Sequence, residues 1–317
     1  MVTESGSLHD RLFVMDGLSA AELTESYVTE TLPEAGIDAM HKTVIAAGDG
    51  FDDAIESIKS LQRDIRNWPG VNQARTVSDL TEDGLSIVFG FQDTTPLEDD
   101  PENVAIFKQL GVRIIQLTYN ARNRSGNGCT ERVDGGLSYF GIDVIEAIES
   151  HGLLLDLSHV GPKSAADALE VATKPTAFTH SNPSAVHDHP RNISDDLILA
   201  AVETGGTVGV NAYPAFVGED PTIDDLIDHI EYLVDLVGAD HVTLGLDFID
   251  NLPADALTVL EEDPAYPDPP YDYPPGLESA ASMPNVTAAL VERGFDETEI
   301  VGIMGENLLR LYREVWA

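Results

Sequence analysis

The sequence predicts a single (β/α)8 barrel, and three observations predict it. Eight short apolar runs recur along the 317 residues, separated mostly by stretches with the spacing of amphipathic helices. No break in composition divides the chain, and its length and 43% apolar content suffice for one large core. Nearly every run ends on a polar residue: Asp16, His41, Gln92, Tyr119, His159, His180, Asn211 and Asp247. Such a list describes the reactive end of a barrel, where strand ends are rigid and the loops beyond them vary. A doubly wound open sheet is the alternative fold, but no Gly-rich dinucleotide or phosphate loop follows strand one.

Residues 12–15 form a short apolar run that stops at Asp16-Gly17 and reads as strand one. Residues 20–35 have helical spacing through Leu23, Tyr27 and Leu32, with Gly36 as the stop. Strand two is expected over 37–45, where a period of two puts His41 and Thr43 on one face. Ile55, Ile58, Leu61 and Ile65 mark a helix over 51–68, closed by Pro69-Gly70. Strand three, 85–89, runs into Gly90-Phe91-Gln92; a helix over 101–110 leads to strand four, 112–117, ending at Thr118-Tyr119-Asn120. Residues 121–136 are rich in Gly, Asn and Arg and suit turns; a loop that long inside a compact domain is usually functional. After a helix over 138–150, strands five and six, 153–157 and 176–179, flank a helix over 161–173 that Pro162 opens. A strand, a crossover helix and a strand place both strand ends at one edge of a parallel sheet. A helix over 194–204 and strand seven, 207–210, follow, then a helix over 223–237 and strand eight, 242–246. A Pro-, Asp- and Tyr-rich loop, 263–276, and helices over 283–293 and 297–316 close the chain, with Asp296 and Glu299 spaced as a capping box.

The formal net charge of −39, from 17 basic and 56 acidic side chains, is spread along the whole chain. Self-repulsion of that size calls for dense salt to screen it, which points to a salt-loving source. Nucleic acid is excluded as a partner, since phosphate binding needs a basic footprint and the few Lys and Arg form none. One cysteine, Cys129, allows no internal disulfide. The first twenty residues contain Glu4, Asp10 and Asp16 and no continuous apolar run, so a soluble cytoplasmic protein without a membrane partner is expected.

His159 and His180 end consecutive strands and face one cavity, which makes them a candidate half of a metal site. The bland alternative is that each caps its strand locally; two in succession, followed by His189-Pro190-Arg191-Asn192, favour ligands. His187 and His189 read as loop residues flanking Arg191, and His9, His151, His229 and His241 as surface or helix-end residues.

From about Phe13 to Trp316 the chain resembles the membrane (renal) dipeptidase family of metallopeptidases, M19. The resemblance is carried by Leu117-Thr118-Tyr119-Asn120 with Asn123, Gly126-Asn127-Gly128-Cys129, Gly136-Leu137 and Phe140-Gly141. It continues in Asp156-Leu157-Ser158-His159, Thr179-His180-Ser181, His189-Pro190-Arg191-Asn192, Gly245-Leu246-Asp247-Phe248 and Gly302-Ile303-Met304-Gly305-Glu306-Asn307. It implies a (β/α)8 zinc enzyme of the amidohydrolase type that cleaves dipeptides. It also implies that His159 and His180 bind one of two zincs, that Arg191 binds the substrate carboxylate, and that Asp247 handles protons at the scissile peptide. At the other zinc this chain departs from the family, whose strand one ends Asp-Gly-His-x-Asp. Here Leu18 and Ala20 stand at the two ligand positions, Gln92 at the bridging Glu, and Tyr119 at a substrate-contacting His. His41, where the family has an aromatic residue, is a candidate third nitrogen, and the alternative is a half-buried histidine paired with an Asp.

The reading that follows is a metal-dependent hydrolase of a dipeptide or similar small amide with about one zinc per chain, held by His159, His180 and His41 with Gln92 nearby. Asp247 would move the proton, Arg191 would pair with the carboxylate, and Tyr119 and Asn120 would donate to the developing oxyanion. Two alternatives stay open: a catalytically impaired homologue that binds a small carboxylate ligand, and the same barrel running another amide or lyase reaction. A homodimer is compatible with the family.

Overall fold

The computed structural model describes residues 7–46, 48–253 and 272–316. Nine parallel strands form one sheet among them: β1 (Met15–Ser19), β2 (Ala39–Thr43), β3 (Val71–Ala74), β4 (Leu85–Phe91), β5 (Val112–Gln116), β6 (Leu154–Asp156), β7 (Thr176–Phe178), β8 (Thr207–Val210) and β9 (Val242–Leu244). The order is β1-β2-β4-β5-β6-β7-β8-β9, and β3 pairs only with β4, outside the ring. The ring closes where Ser19 bridges Phe248, with Asp247 N–H donating to Leu18 O at 3.0 Å and Ala20 N–H to Phe248 O at 3.0 Å. Eight strands, right-handed helical crossovers and closure make the expected (β/α)8 barrel.

The barrel interior is built in layers, because strand residues two apart face the same side. Its lowest layer, Met15, Ala39, Val88, Ile114, Leu154 and Ala177, packs against Leu308, Leu309, Leu311 and Tyr312 of the helix Asn307–Val315. The last helix therefore plugs the N-terminal end and leaves the other end to polar residues. One step up, alternation brings in Gly17, His41, Gly90, Gln116, Asp156, Thr179, Gly209 and Gly245. Glycine on four strands leaves room for the polar side chains on the other four. A Cβ on Gly90 would lie 2.0 Å from His41 Nε2, and one on Gly245 would lie 2.0 Å from Thr179 O.

Most expected elements stand within a residue or two of their places, and the helices Ile223–Val237 and Met283–Arg293 match at both ends. Three expectations are corrected. Strand one starts at Met15 rather than ending there, because Asp16-Gly17 is strand: a Cβ on Gly17 would meet Leu244 O at 2.5 Å, so the glycine permits the seam rather than a turn. Helix over 20–35 begins only at residue 25, since residues 20–24 run beside the strand-nine loop, where Glu22 N–H donates to Asp250 O at 2.9 Å. Strand β3 went unread because its Asn72 and Gln73 are polar and only half-buried. The loop over 121–136 has no helix or strand, yet it is pinned: Asn123 Nδ2 donates to Asp93 Oδ1 at 2.7 Å and Leu117 O at 2.7 Å, and Asp134 accepts from Lys163 N and Ser164 N at the start of the helix Pro162–Val171. Of the expected loop 263–276, residues 263–271 lie outside the described residues. Among the described residues no helix is long and apolar enough to cross a membrane.

Candidate active site

His159 follows β6 and His180 follows β7, and their rings stand 4.9 Å apart at the barrel mouth. Each is locked in one tautomer. His159 Nδ1 donates to Asn120 Oδ1 at 2.6 Å, which leaves its buried Nε2 without a partner. His180 Nδ1 meets Thr179 Oγ1 at 2.7 Å, and Thr179 Oγ1 donates in turn to Asp156 Oδ2 at 2.6 Å. Since the Thr179 proton goes to Asp156, the imidazole must be the donor of the other bond, and His180 Nε2 keeps its lone pair. Asp156 is fixed by further bonds from Ser158 N, Ser158 Oγ and Thr179 N. His180 Nε2 faces Gln92 Nε2 at 3.2 Å, so the Gln92 amide donates there.

His41 lies in β2, fully buried. Its Nδ1 donates to Gly17 O at 2.8 Å and its Nε2, against Gly90, has no partner. Burial lowers its pKa to about 4. Burial also pushes His159 and His180 well below the usual imidazole range, with the Arg191 guanidinium adding to the effect on both. All three rings are therefore neutral with Nε2 lone pairs, the state in which imidazole binds metal. Their positions are another matter: among the described residues no group of three His, Cys, Asp or Glu side chains is gathered as a metal site needs. The site offers the His159 and His180 pair, with a neutral Gln92 amide beside it. The expected Asp partner for His41 is replaced by a backbone carbonyl.

Asp247 stands just beyond β9, with Asn211 Nδ2 donating to its Oδ2 at 3.0 Å and Tyr273 Oη donating to its main-chain oxygen at 2.5 Å. Burial raises its pKa to about 6 against the opposing pull of Arg191, Asn211 and Lys42. Tyr119 stacks on His159 at 4.2 Å, so it holds the ring face as well as lining the mouth. The Asn120 side-chain oxygen holds the His159 tautomer and also accepts from Cys129 Sγ at 3.3 Å. Arg191 is 2% exposed; it donates to His180 O at 3.0 Å and to Ser181 Oγ at 3.5 Å, and lies 5.2 Å over the Phe216 ring. It thus braces the His180 loop. His189 Nδ1 accepts from Arg191 N at 3.1 Å, which agrees with a flanking role. His9 and His229 are buried, each held by a carbonyl, Ala35 O and Val217 O, rather than lying at the surface.

Two cavities meet this cluster. One of about 410 Å³ is lined by Lys42, Gln92, Asp93, Tyr119, Tyr213 and Asp247 among others, and another of about 440 Å³ by Cys129, His159, Asp188, His189 and Arg191. Sequence reasoning missed Lys42, which sits on the face of β2 opposite to His41, and gave Asn211 no role. Nothing in a single strand-end residue reveals the carboxylate it will hold.

The family model for membrane dipeptidases, peptidase family M19, matches residues 13–317. An uncharacterised dipeptidase of Schizosaccharomyces pombe is 32% identical over 241 residues, which are 74% of this chain and 54% of the relative. This chain spans about half the length of the curated relatives it matches first. A crystal structure described as an amidohydrolase from Pseudomonas aeruginosa superposes with a TM-score of 0.91 at 34% identity, over 98% of each chain. A metallo peptidase from Rhodobacter sphaeroides, liganded with a phosphinate mimic of L-Ala-D-Ala, shares the fold with a TM-score of 0.83 at 20% identity, over 96% of this chain and 99% of the other. On the match across residues 13–317, this chain belongs to the membrane dipeptidase family.

Proposed function

We propose that this chain is a metal-dependent hydrolase of small amides that carry a carboxylate, dipeptides first among them. The observation that carries the reading is a pair of neutral imidazoles, His159 and His180, locked with Nε2 lone pairs, and a buried carboxylate, Asp247, whose pKa is raised to about 6 and which Asn211 Nδ2 links to the His180 carbonyl. His159 and His180 would hold one zinc ion per chain, with the Gln92 amide, released from its bond to His180 Nε2, offering its oxygen as a neutral third donor and His41 deeper in the barrel. A zinc ion bound there supplies a water of lowered pKa and polarises the scissile carbonyl.

The remaining work falls to the chain itself. Asp247, anionic above its pKa, accepts a proton from the attacking water and returns it to the leaving amine. Asn211 orients that carboxylate through its bond to Oδ2. The Tyr119 hydroxyl donates to the oxyanion, and its ring keeps His159 in place. Arg191 holds the His180 carbonyl and adds positive potential at the mouth. The phosphinate bound by the Rhodobacter sphaeroides protein supports dipeptides as the first substrates to try. A second reading, a chain that binds a small carboxylate without cleaving it, is favoured by the lack, among the described residues, of a third His, Cys, Asp or Glu in metal-binding array.

Metal content by plasma mass spectrometry, on protein dialysed in molar salt, together with a dipeptide screen, tests the proposal. About one zinc per chain, lost in His180→Ala along with hydrolysis, is expected. Hydrolysis without metal, or no metal and no hydrolysis, overturns it, and the second outcome leaves the binding reading.

A further inference from the structure

Lys42 is the charged residue of this site that the proposed chemistry leaves unused. It follows His41 in β2, is half-buried, and donates from Nζ to Ala20 O at 2.9 Å, a single bond for a group with three donors. In the 410 Å³ cavity it is the only cation among the described residues that line it, which also include Glu22, Asp64, Asp93 and Asp247, and the charges of Glu22 and Asp247 act on it. Arg191 does not line this cavity; it opens on the 440 Å³ one and spends donors on His180 O and Ser181 Oγ. Lys42 and Asp247 lie close enough that each acts on the charge of the other. A chain with 17 basic residues against 56 acidic ones thus puts one ammonium beside its candidate catalytic carboxylate.

We propose that Lys42 is the carboxylate anchor of this cavity, where its ammonium receives the free carboxylate of a small acyl-amino acid or dipeptide whose amide lies at Asp247. The placing of the amide rests on the hydrolase reading, whereas the anchoring of a carboxylate does not. An ammonium suits the task because it is a compact charge on a flexible stem that can follow ligands of different length. The other charged residues described in this lining, Glu22, Asp64, Asp93 and Asp247, are anionic, so the Lys42 ammonium is the charge among them that attracts a carboxylate.

Nuclear magnetic resonance titration with N-acetylglycine and with N-acetylglycinamide reads binding and cleavage separately on the same sample. Wild type should bind the acid about tenfold more tightly than the amide. Lys42→Gln and Lys42→Met should each erase that preference while the amide binds as before, which also shows that the variant is folded; Lys42→Arg should retain it. A preference that survives Lys42→Gln, or that is lost only in Arg191→Gln, overturns the proposal, as does a wild type with no preference. A Lys42-dependent preference without cleavage of any peptide supports the anchor and sinks the hydrolase reading instead.

Discussion

Three side chains at the barrel mouth stand on backbone in the left-handed region: Asn120 at φ 55°, His159 at φ 63° and Asp247 at φ 58°. A residue other than glycine pays on the order of 1 kcal/mol or more there, and holds the position only where its surroundings enforce it. The enforcing bonds are present, from Cys129 N to His159 O at 2.9 Å, from Thr130 N to Asn120 O at 3.0 Å and from Asp247 N to Leu18 O at 3.0 Å. His159, His180 and Asp247 could be singled out as candidates in the sequence because each ends an apolar run, and Arg191 because of its His-Pro-Arg-Asn neighbours. Their supports were not, since Asn120 lies 39 residues from His159 and Asp156 lies 23 from Thr179. Asn120→Ala should lower zinc affinity and kcat/KM by about 10–100-fold with the circular dichroism spectrum unchanged, because His159 loses the acceptor that sets its tautomer. Wild-type values in that variant would remove the role. The proposed role of Asp247 as base requires it ionised, so kcat/KM should fall as pH drops below about 6. The Asn211 bond opposes the rise in that pKa, so Asn211→Ala should move the acid limb to higher pH; a limb that stays in place would detach it from Asp247.

At the scale of elements, the seam between β1 and β9 was the least legible part of the fold. Asp16 was read as a strand end, but it lies inside β1, and its Oδ1 accepts from Leu246 N at 2.9 Å and Leu18 N at 3.3 Å across and along the closure. Burial raises its pKa from 3.8 to about 7, with the charges of Asp247 and Asp250 adding to the effect. A raised carboxyl pKa favours folding where both states are protonated, below about pH 4; that contribution is lost as pH rises towards 7, where the unfolded chain has released a proton that the folded chain retains. Asp16→Asn keeps a side-chain oxygen to accept from both backbone N–H groups and never ionises, so its melting temperature relative to wild type should increase between pH 4 and pH 7. Parallel pH profiles for the two proteins would show that Asp16 is ionised in the fold. The helices and the strands β2 and β4–β9 were legible because period and caps are local; β3 and the seam were not, because pairing partners decide them.

The whole molecule carries a net charge of −39, with 56 acidic side chains against 17 basic ones. Arg293 shows the imbalance, meeting Asp224, Asp228 and Glu231 together. Screening relieves self-repulsion, so the melting temperature should climb steadily from 0.1 M to 2 M potassium chloride, where the Debye length falls to about 3 Å or less. A flat curve would break the inference of a salt-loving source. What the sequence by itself determined is the barrel, with His159, His180, Arg191 and Asp247 singled out as its candidate site residues, because hydrophobic period and short motifs are properties of neighbours along the chain. Only the tertiary structure decided which ring nitrogen each histidine presents, that the Asn120 oxygen holds the His159 ring, that Arg191 bonds to the His180 loop, and that Lys42 enters the cavity of Asp247. Hydrogen bonds, burial and charge at those positions come from strands far apart in sequence, and closure of the barrel alone brings them together.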